Sequence, residues 1–227
     1  MYELYIANKN YSSWSLRPWV LMRELGIEFT EHLTPFGDAP RWDALRKISP
    51  SGRVPFLLDG NTVVWDSLAI VEYLGERHGA VWPRDPAARA FARSAAAEMH
   101  SGFAELRNRC AMSCGIRARL KETPPALLRD VERVDALFVD GLSRFGGEFL
   151  AGEQFSAVDA FFAPVAFRVQ SYGLALGAAA GAYCARLLSL ASMKAWYAAG
   201  IEERFRDLPH EEEIAQMATV TQDLRAR

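Results

Sequence analysis

Residues 8–19 read Asn-Lys-Asn-Tyr-Ser-Ser-Trp-Ser-Leu-Arg-Pro-Trp, and the rest of the chain is organised around this stretch. An apolar run from Tyr2 to Ala7 precedes it and is typical of a first strand. Val20, Leu21 and Leu25 follow it at helical spacing. The stretch is therefore predicted to form a loop between a strand and a helix, and its serines lie in that loop.

Pro18 locates the start of the predicted helix. Proline is tolerated in the first turn of a helix, where its missing N–H would have no partner anyway. This placement predicts that Ser15 caps the helix and that Ser12 and Ser13 lie just upstream, with hydroxyls free to face a ligand. The positive end of the helix dipole at that point suits an anion. The alternative is that both serines only cap the helix.

The composition argues against several classes of protein. The net charge of −2 gives no general argument for nucleic acid or a membrane surface as a partner. The first residues show no basic stretch followed by an apolar core, so we expect no signal peptide. No apolar run approaches the ~18 residues of a membrane span. The sparse set of three cysteines favours a reducing compartment, so we expect a cytoplasmic protein. We expect no metal site, because the histidines are scattered and no third ligand accompanies Cys110 and Cys114.

The first third of the chain alternates strand and helix signals. Glu28 to Leu33 is predicted to be a second strand, and Arg41 to Lys47 a short helix. The apolar runs Val54 to Leu58 and Thr62 to Trp65 are separated by an Asp-Gly-Asn turn, which predicts an antiparallel hairpin. Helical spacing returns from Ser67 to Arg77. This order predicts one mixed sheet with helices packed on it.

The pattern changes after His78. Residues 79–85 carry a glycine and a proline and are predicted to be a linker. The chain then shows helical patterns and no convincing strand, and Ser156 and Asp159 have the spacing of a capping box before a strongly apolar helix. We therefore predict two domains, an α/β unit over residues 1–78 and an all-helical unit over residues 86–227.

Four features, taken in order along nearly the full length, resemble the cytosolic glutathione transferase family. They are the serine loop, the turn Ser49-Pro50-Ser51-Gly52-Arg53-Val54-Pro55, the stretch Asp66-Ser67-Leu68-Ala69-Ile70-Val71-Glu72-Tyr73-Leu74 and the Ser156/Asp159 capping box. Each is common alone, whereas their order and spacing together are specific. The Ser-Ser-Trp-Ser loop is most similar to that of the zeta class, the maleylacetoacetate isomerase-like group, with Trp14 in place of a cysteine. The omega and beta classes need a cysteine in this loop, and this sequence has none there.

The resemblance implies a fold and a chemistry. The fold is a thioredoxin-like N-terminal domain, with a mixed four-stranded sheet and helices, followed by an all-helical C-terminal domain. The co-substrate is glutathione, no metal takes part, and a homodimer is expected. The implied catalytic residue is Ser12, whose hydroxyl would donate a hydrogen bond to the glutathione thiolate, with Ser13 as the alternative or a second donor. Lowering a thiol pKa of ~8.5 by two takes about 2.7 kcal/mol, which such a donor at a helix terminus can supply.

The resemblance also assigns a glutathione-binding set. Val54 would precede a cis-proline, Pro55, and its backbone N–H and C=O would pair with the cysteinyl part of glutathione. At the next helix N-terminus, Asp66 suits the γ-glutamyl ammonium and Ser67 suits the carboxylate. Arg53 is the candidate for the glycyl carboxylate. The alternatives are an ordinary strand-opening proline, a plain helix cap and a solvated arginine.

The second substrate is expected to lie against the helical domain. His100, Phe103 and Arg107 are spaced by three and four residues, so we predict that one helix face presents all three. Arg168 and Tyr172, again four apart, are candidates for the same cleft, and an apolar ring with a cation suits an acidic or aromatic electrophile. The predicted second-substrate pocket comprises Trp14, His100, Phe103, Arg107, Arg168 and Tyr172.

Two classes of function fit this pattern. The first is a detoxifying glutathione S-transferase that conjugates or isomerises a small hydrophobic or acidic electrophile, with glutathione-dependent peroxide reduction as a close variant. Zeta enzymes recognise a substrate carboxylate with an arginine where this chain has Ser171, which counts against isomerisation of a maleyl dicarboxylate. The second is a glutathione- or ligand-binding scaffold without turnover, which the bulky Trp14 beside the serines suggests.

Overall fold

The computed structural model of the protein describes residues 1–226. Its first part contains a four-stranded sheet formed by β1 (Tyr2–Ile6), β2 (Phe29–Leu33), β3 (Phe56–Asp59) and β4 (Thr62–Val64). The strand order is β2-β1-β3-β4, with β1 parallel to β2 and antiparallel to β3. β3 and β4 form an antiparallel hairpin. The predicted mixed sheet and the predicted hairpin are therefore confirmed.

Three helices accompany this sheet, namely α1 (Ser13–Glu24), α2 (Ala39–Arg46) and α3 (Ser67–Gly75). α1 and α3 pack against each other, and Leu16, Val20 and Leu21 of α1 are fully buried. Burying one side chain of this size stabilises the fold by roughly 1.5–3 kcal/mol. Packing, rather than helix propensity, therefore stabilises α1, whose sequence contains two serines and a proline.

Residues 86–226 are mainly helical. The helices are α4 (Pro86–Ser101), α5 (Ala104–Arg109), α6 (Pro125–Phe145), α7 (Ala157–Tyr172), α8 (Ala178–Ser189), α9 (Ala191–Glu202) and α10 (Leu208–Met217). α4 begins as the sequence predicts, with the Asp85 carboxylate accepting a hydrogen bond from Ala88 N at 2.8 Å. Residues 76–85 hold no helix or strand, and the domain division at 79–85 stays a prediction. No helix in residues 1–226 is both long and apolar enough to cross a membrane.

α7 lies at the centre of the molecule, packed against α1, α4 and α8. Asp159 in its first turn is fully buried, and its carboxylate accepts hydrogen bonds from Ser156 N at 2.9 Å, Leu150 N at 3.0 Å and the Tyr183 hydroxyl at 2.7 Å. The predicted capping box between Ser156 and Asp159 is present. Burial raises the pKa of Asp159 to about 6, against hydrogen bonds that favour its charged form. This carboxylate thus ties the start of α7 to two neighbouring segments.

Two strands lie beyond His78, where the sequence predicted none. β5 (Ile116–Leu120) pairs antiparallel with β6 (Ala218–Asp223). The prediction that no strand follows His78 is therefore wrong. Both segments are short, and β6 exposes all but its first residue. β5 alternates apolar and charged residues, Ile-Arg-Ala-Arg-Leu, but over only five residues, and this signal was missed. Their pairing joins distant parts of the sequence, which no local pattern can reveal.

The start of α1 also differs from the prediction. α1 begins at Ser13 with Ser12 as its N-cap residue, so Ser15 lies inside the first turn and does not cap the helix. Pro18 lies in the second turn. An interior proline removes a helix hydrogen bond at a cost of about 3 kcal/mol, and the close packing of α1 against α3 and α7 offsets this cost. The prediction failed because it ranked the local preference of proline above tertiary packing.

Candidate active site

Two cavities adjoin at the start of α1 and share the residues Trp14, Arg53 and Val54. We call the first the Pro55 cavity. It encloses about 320 Å³ and is lined by Trp14, Ser51, Arg53, Val54, Pro55, Trp65, Asp66 and Ser67. We call the second the Arg168 cavity. It encloses about 370 Å³ and is lined by Tyr11, Ser12, Ser13, Trp14, Phe36, Trp42, Arg53, Val54, Arg107, Asn108, Ala111, Met112, Arg168, His210 and Glu213.

The Pro55 cavity collects the residues predicted to bind glutathione. The Val54–Pro55 peptide bond is cis, as the resemblance implies. Val54 is half-buried where the two cavities meet, and Arg53 beside it is exposed. Asp66 and Ser67 line the same cavity. The structure therefore brings this set together, while the role of each residue stays a prediction.

Asp66 and Ser67 begin α3, and both already have partners within the protein. Asp66 Oδ1 accepts a hydrogen bond from Leu68 N at 2.9 Å, and its Oδ2 lies 3.2 Å from His100 Nε2. Ser67 is fully buried, and its hydroxyl oxygen accepts a long hydrogen bond of 3.5 Å from Arg17 Nη1. Asp66 thus caps the helix and also presents a carboxylate to the cavity, so the two interpretations of this residue are compatible.

Ser12 and Ser15 form a hydrogen-bonded pair at the start of α1. The Ser12 hydroxyl donates to Ser15 Oγ over 2.7 Å, and Ser15 Oγ also accepts from Ala7 N at 3.2 Å. A serine hydroxyl has one proton and two lone pairs. In this arrangement the proton of the fully buried Ser15 meets no acceptor within residues 1–226. If the Ser15 hydroxyl rotated toward Ser12, Ser12 Oγ would accept its proton. The Ser12 proton would then be free to point into the Arg168 cavity.

Ser13 is the first residue of α1, and it contacts a different element. Its Oγ accepts a hydrogen bond from Arg168 Nη2 at 3.4 Å, and the residue is half-buried. A hydroxyl that accepts from a guanidinium keeps its own proton for another acceptor. Ser12 and Ser13 therefore both line the Arg168 cavity with a proton that can be donated to an anion there.

The serine loop, residues 8–15, is held by the C-terminal part of the chain. The Glu203 carboxylate accepts hydrogen bonds from Lys9 N at 2.7 Å and Asn10 N at 3.2 Å, and Trp196 Nε1 donates to Lys9 O at 2.7 Å. Gly200 permits this close approach, because a Cβ at that position would lie 3.2 Å from Asn10 N. Backbone groups that a surface loop would leave to water are therefore paired inside the molecule.

Tyr11, which precedes Ser12, is tied to the C-terminal segment as well. Its hydroxyl donates to Glu211 Oε1 at 2.5 Å and accepts from Arg225 Nη1 at 3.1 Å. Arg225 also pairs with Glu211 and with Asp223. Burial and the Glu211 carboxylate raise the pKa of Tyr11 far above its usual value. The phenol proton is committed to Glu211, so Ser12 and Ser13 are the candidate hydroxyl donors next to it in this cavity.

Three guanidinium groups lie around Trp14 and Ser13. Arg17 is 2% exposed, and the Cζ atoms of Arg17 and Arg107 lie 4.1 and 4.5 Å from the centroid of the Trp14 ring. Arg168 is 4% exposed. Within residues 1–226, none of the three forms a salt bridge with an aspartate or glutamate. Burial lowers the pKa of all three, that of Arg168 to about 10. A buried charge without a salt-bridge partner is costly, so the surroundings of Arg168 favour an anion.

The prediction that one helix face presents His100, Phe103 and Arg107 is wrong. The helix breaks between α4 and α5, where Phe103 adopts a left-handed backbone conformation with φ of 55°. Arg107 Nη1 donates to the carbonyls of His100 at 3.2 Å and Gly102 at 3.4 Å. These bonds satisfy carbonyls that the break leaves free. Regular i, i+3 and i+4 spacing did not reveal the break.

The three residues consequently have different surroundings. Arg107 lines the Arg168 cavity. Phe103 is 6% exposed and belongs to the core. His100 packs edge-on against Trp14, with ring centroids 5.3 Å apart, and pairs with Asp66. Burial and the nearby arginines lower the pKa of His100, while the Asp66 carboxylate opposes this effect.

On α7 the structure separates the two predicted residues. Arg168 lines the cavity, whereas Tyr172 is 5% exposed and its hydroxyl donates to Ala111 O at 2.7 Å. Tyr172 therefore supports the lining residue Ala111 from behind. Ser171 is 2% exposed and donates to Ser113 O at 2.9 Å, so it also lies in the core.

Aromatic residues of the cavities were not predicted from the sequence. They are Tyr11, Phe36, Trp42 and His210 in the Arg168 cavity and Trp65 in the Pro55 cavity. The rings of Phe36 and Trp42 stack with centroids 6.0 Å apart, and those of Tyr11 and His210 with centroids 5.1 Å apart. Trp65 is 43% exposed. Phe36 and Trp42 lie in or beside a loop rich in proline and glycine, which is a sequence feature that could have indicated them. No sequence feature indicated His210.

Two family models match the chain. Residues 11–77 match the N-terminal domain of glutathione S-transferase, and residues 96–199 match its C-terminal domain. Among characterised relatives, a probable maleylacetoacetate isomerase from Caenorhabditis elegans is 34% identical over 108 residues, or 46% of this chain and 49% of that protein. A zeta class glutathione S-transferase from Euphorbia esula is 31% identical over 121 residues, or 52% of this chain and 54% of that protein. The match therefore spans about half the length of each of these relatives.

Solved structures show the same fold. A glutathione transferase homologue from Burkholderia, crystallised with bound glutathione, superposes with a TM-score of 0.66 at 21% identity. The superposition covers 88% of this chain and 97% of the other. The agreement extends over both the sheet-containing unit and the helices.

Proposed function

The chain belongs to the glutathione S-transferase family, and we propose that it binds glutathione, holds the thiolate with Ser12 and conjugates or isomerises a small electrophile. Both family domains and the glutathione-bound structural relatives support glutathione transferase function. Ser13 is the second candidate donor. Family members also suggest a cytoplasmic homodimer that acts in detoxification, and these properties are part of the proposal.

One observation carries this proposal. Val54, Asp66 and Ser67 line one cavity, the two serines line the adjoining cavity, and Val54 belongs to both. A tripeptide whose cysteinyl part pairs with the backbone of Val54 would bring its sulfur to the boundary between the cavities. An electrophile in the Arg168 cavity would then meet that sulfur beside Ser12 and Ser13.

Three features favour the charged form of the sulfur at this boundary. The first turn of α1 contributes partial positive charge. A hydroxyl donor strengthens the interaction, since hydrogen bonds to anions are about twice as strong as those between neutral groups. Arg168, whose Nη2 donates to Ser13 Oγ at 3.4 Å, adds positive charge and forms no salt bridge within residues 1–226. Together they need to supply about 2.7 kcal/mol to lower a thiol pKa of ~8.5 by two.

Ser12 acts as a hydrogen-bond donor and not as a base. The thiol proton leaves to solvent before the reaction. The thiolate sulfur then forms a bond to the electrophilic carbon while the leaving group departs with its electron pair, or while the π electrons of a double bond shift to the next atom. When the sulfur binds, the Ser12 proton turns toward it, and the Ser15 proton turns to Ser12 Oγ over the 2.7 Å that separates the two oxygens.

A scaffold function without turnover is the second candidate. Trp14 lies between the two cavities and is flanked by Arg17 and Arg107, so its indole narrows the connection between them. Glutathione-dependent peroxide reduction would use the same thiolate. The sulfur would attack a peroxide oxygen while the O–O bond breaks and the alkoxide leaves to take a proton, and a second glutathione would convert the resulting sulfenic acid to the disulfide with loss of water.

The test is a titration of bound glutathione that follows the ultraviolet absorbance of the thiolate against pH. The wild-type protein is compared with Ser12→Ala, Ser13→Ala and Ser51→Ala, the last being a control serine in the Pro55 cavity. In the wild type and in Ser51→Ala the thiol should ionise about two pH units below its free value of ~8.5. In Ser12→Ala it should return toward that value. Binding with an unshifted thiol would favour the scaffold, and failure to bind glutathione would overturn both candidates.

A further inference from the structure

The Arg168 cavity has donors that the protein leaves unused. Arg168 donates from Nε to Cys110 O at 2.8 Å, from Nη1 to Pro164 O at 3.4 Å and from Nη2 to Ser13 Oγ at 3.4 Å. A guanidinium has five N–H groups, so one remains on each Nη atom. Arg107 makes both of its hydrogen bonds from Nη1. Its Nε and Nη2 therefore have no protein acceptor in residues 1–226.

These two guanidinium groups repel each other, and the cavity lining provides little negative charge to offset this repulsion. The described lining contains one acidic residue, Glu213, which is exposed and forms no salt bridge with either arginine. Asp207 is engaged with His210, 2.5 Å from its Nδ1. Arg168 is 4% exposed, so solvent screens its charge poorly. A ligand carboxylate would accept from both arginines and neutralise part of this charge.

Another part of the cavity lining is apolar and aromatic. Phe36 and Trp42 are stacked on each other, Phe36 and His210 have ring centroids 5.0 Å apart, and Met112 lines the same cavity. A volume of about 370 Å³ accommodates a compound of one substituted ring. The lining thus combines a cationic region with an aromatic region.

Building on the proposed function, we propose that the second substrate is an electrophile that carries a carboxylate on an apolar, ring-sized body. Arg107 and Arg168 bind the carboxylate, and the aromatic residues contact the body. The specificity resides in these two arginines from α5 and α7, since Ser171 is buried in the core and donates to Ser113 O.

The experiment uses two electrophiles that differ at one substituent, 4-chloro-3-nitrobenzoate and its methyl ester, of which only the first is charged. In both, the glutathione sulfur forms a bond to the ring carbon and chloride leaves with the electron pair of the broken bond. Each kcat/KM is divided by the uncatalysed rate constant with glutathione, which removes the difference in intrinsic reactivity. We expect the wild-type enzyme to prefer the acid by tenfold or more.

Arg107→Gln should lower kcat/KM for the acid by tenfold or more and change that for the ester by less than threefold, with an unchanged KM for glutathione. Arg109→Gln is the matched control, because Arg109 lies on the same helix but pairs with Glu105 at 2.7 Å. Arg168→Lys keeps the charge but loses the planar guanidinium. It should therefore reduce the preference for the acid over the ester less than Arg107→Gln does. Thermal melting verifies that each variant is folded.

Equal rates for acid and ester in the wild type, or an equal loss of both in Arg107→Gln, would overturn this inference while leaving the transferase function intact. Conjugation of neither compound, together with an unshifted glutathione thiol, would overturn the proposed function itself.

Discussion

The two cavities are built in different ways. Apart from Trp14, every lining residue of the Pro55 cavity comes from residues 51–67. The Arg168 cavity draws on the serine loop, the segment around α2, α5 and the residues after it, α7 and α10. One cavity is therefore set by a single turn, a hairpin and a helix start, whereas the other exists only after distant helices have packed.

This difference indicates which part of the site is general and which part is specific. Under the proposed function, glutathione recognition rests on backbone groups and a helix cap within a short segment. The proposed choice of electrophile rests on side chains that α5 and α7 bring to the serine loop. Substitutions that act on one cavity and spare the other are therefore the sharpest tests.

The largest effect is expected from Asp159→Ala at the start of α7. The substitution leaves the buried Leu150 N–H, Ser156 N–H and Tyr183 hydroxyl without their acceptor. We expect the free energy of unfolding to fall by about 3–5 kcal/mol, measured by urea denaturation. At permissive temperature, activity with the carboxylate electrophile should fall more than glutathione binding, because α7 positions Arg168.

Asp140→Ala serves as the control for this substitution, since Asp140 is exposed on α6. Its effect should stay within about 0.5 kcal/mol. Equal urea midpoints for the two variants would show that the hydrogen bonds of Asp159 do not hold α7 in place. Equal losses of glutathione binding and of activity with the carboxylate electrophile would show that the two cavities do not depend on α7 to different degrees.

A medium effect is expected at the other cavity from the pair Asp66→Ala and Asp66→Asn. Asparagine caps a helix as well as aspartate does, so Asp66→Asn should keep the stability, whereas Asp66→Ala should lose about 1 kcal/mol. Both remove the carboxylate offered to the γ-glutamyl ammonium, so both should raise the Kd for glutathione about tenfold, or about 1.4 kcal/mol. Calorimetric titration with glutathione measures this. An unchanged Kd in Asp66→Asn would limit Asp66 to its capping role.

The smallest effect is expected from Ser15→Ala. The substitution removes the group that would donate to Ser12 Oγ, and it leaves Ala7 N–H without its acceptor. The pKa of the bound glutathione thiol should rise by about 0.5, because a hydrogen bond that is itself supported by another is moderately stronger. The KM for glutathione should not change. A thiol pKa equal to that of the wild type would reduce Ser15 to a structural partner of Ala7.

The contrast between the cavities also explains how much could be predicted from the sequence. Val54, Asp66 and Ser67 were predicted from the family resemblance, which rests here on a turn, a proline and a helix start within a short segment, and the three residues line one cavity. Phe103 was misplaced because spacing alone cannot show that a helix breaks where Arg107 satisfies the free carbonyls. His210 could not be found at all, since its place depends on how α10 packs beside the serine loop.

The start of α1 illustrates the same limit within a single motif. The loop before the helix and the apolar spacing after it were predicted correctly, yet the cap was placed at Ser15 rather than Ser12. Burial of Pro18 and its neighbours against α3 and α7 stabilises a helix that begins earlier than its proline suggests. Packing energies of several kcal/mol outweigh a preference of this kind.

The anchoring of the serine loop has a consequence for protein synthesis. Residues 8–11 are synthesised before Trp196, Glu203 and Arg225, which hold their backbone and the Tyr11 hydroxyl. We expect a nascent chain to form the glutathione-recognising turn and helix start long before its serine loop is ordered. The ability to generate a reactive thiolate would then arise only after residues 196–225 have been made, so a nascent chain that still lacks them would bind glutathione without activating it.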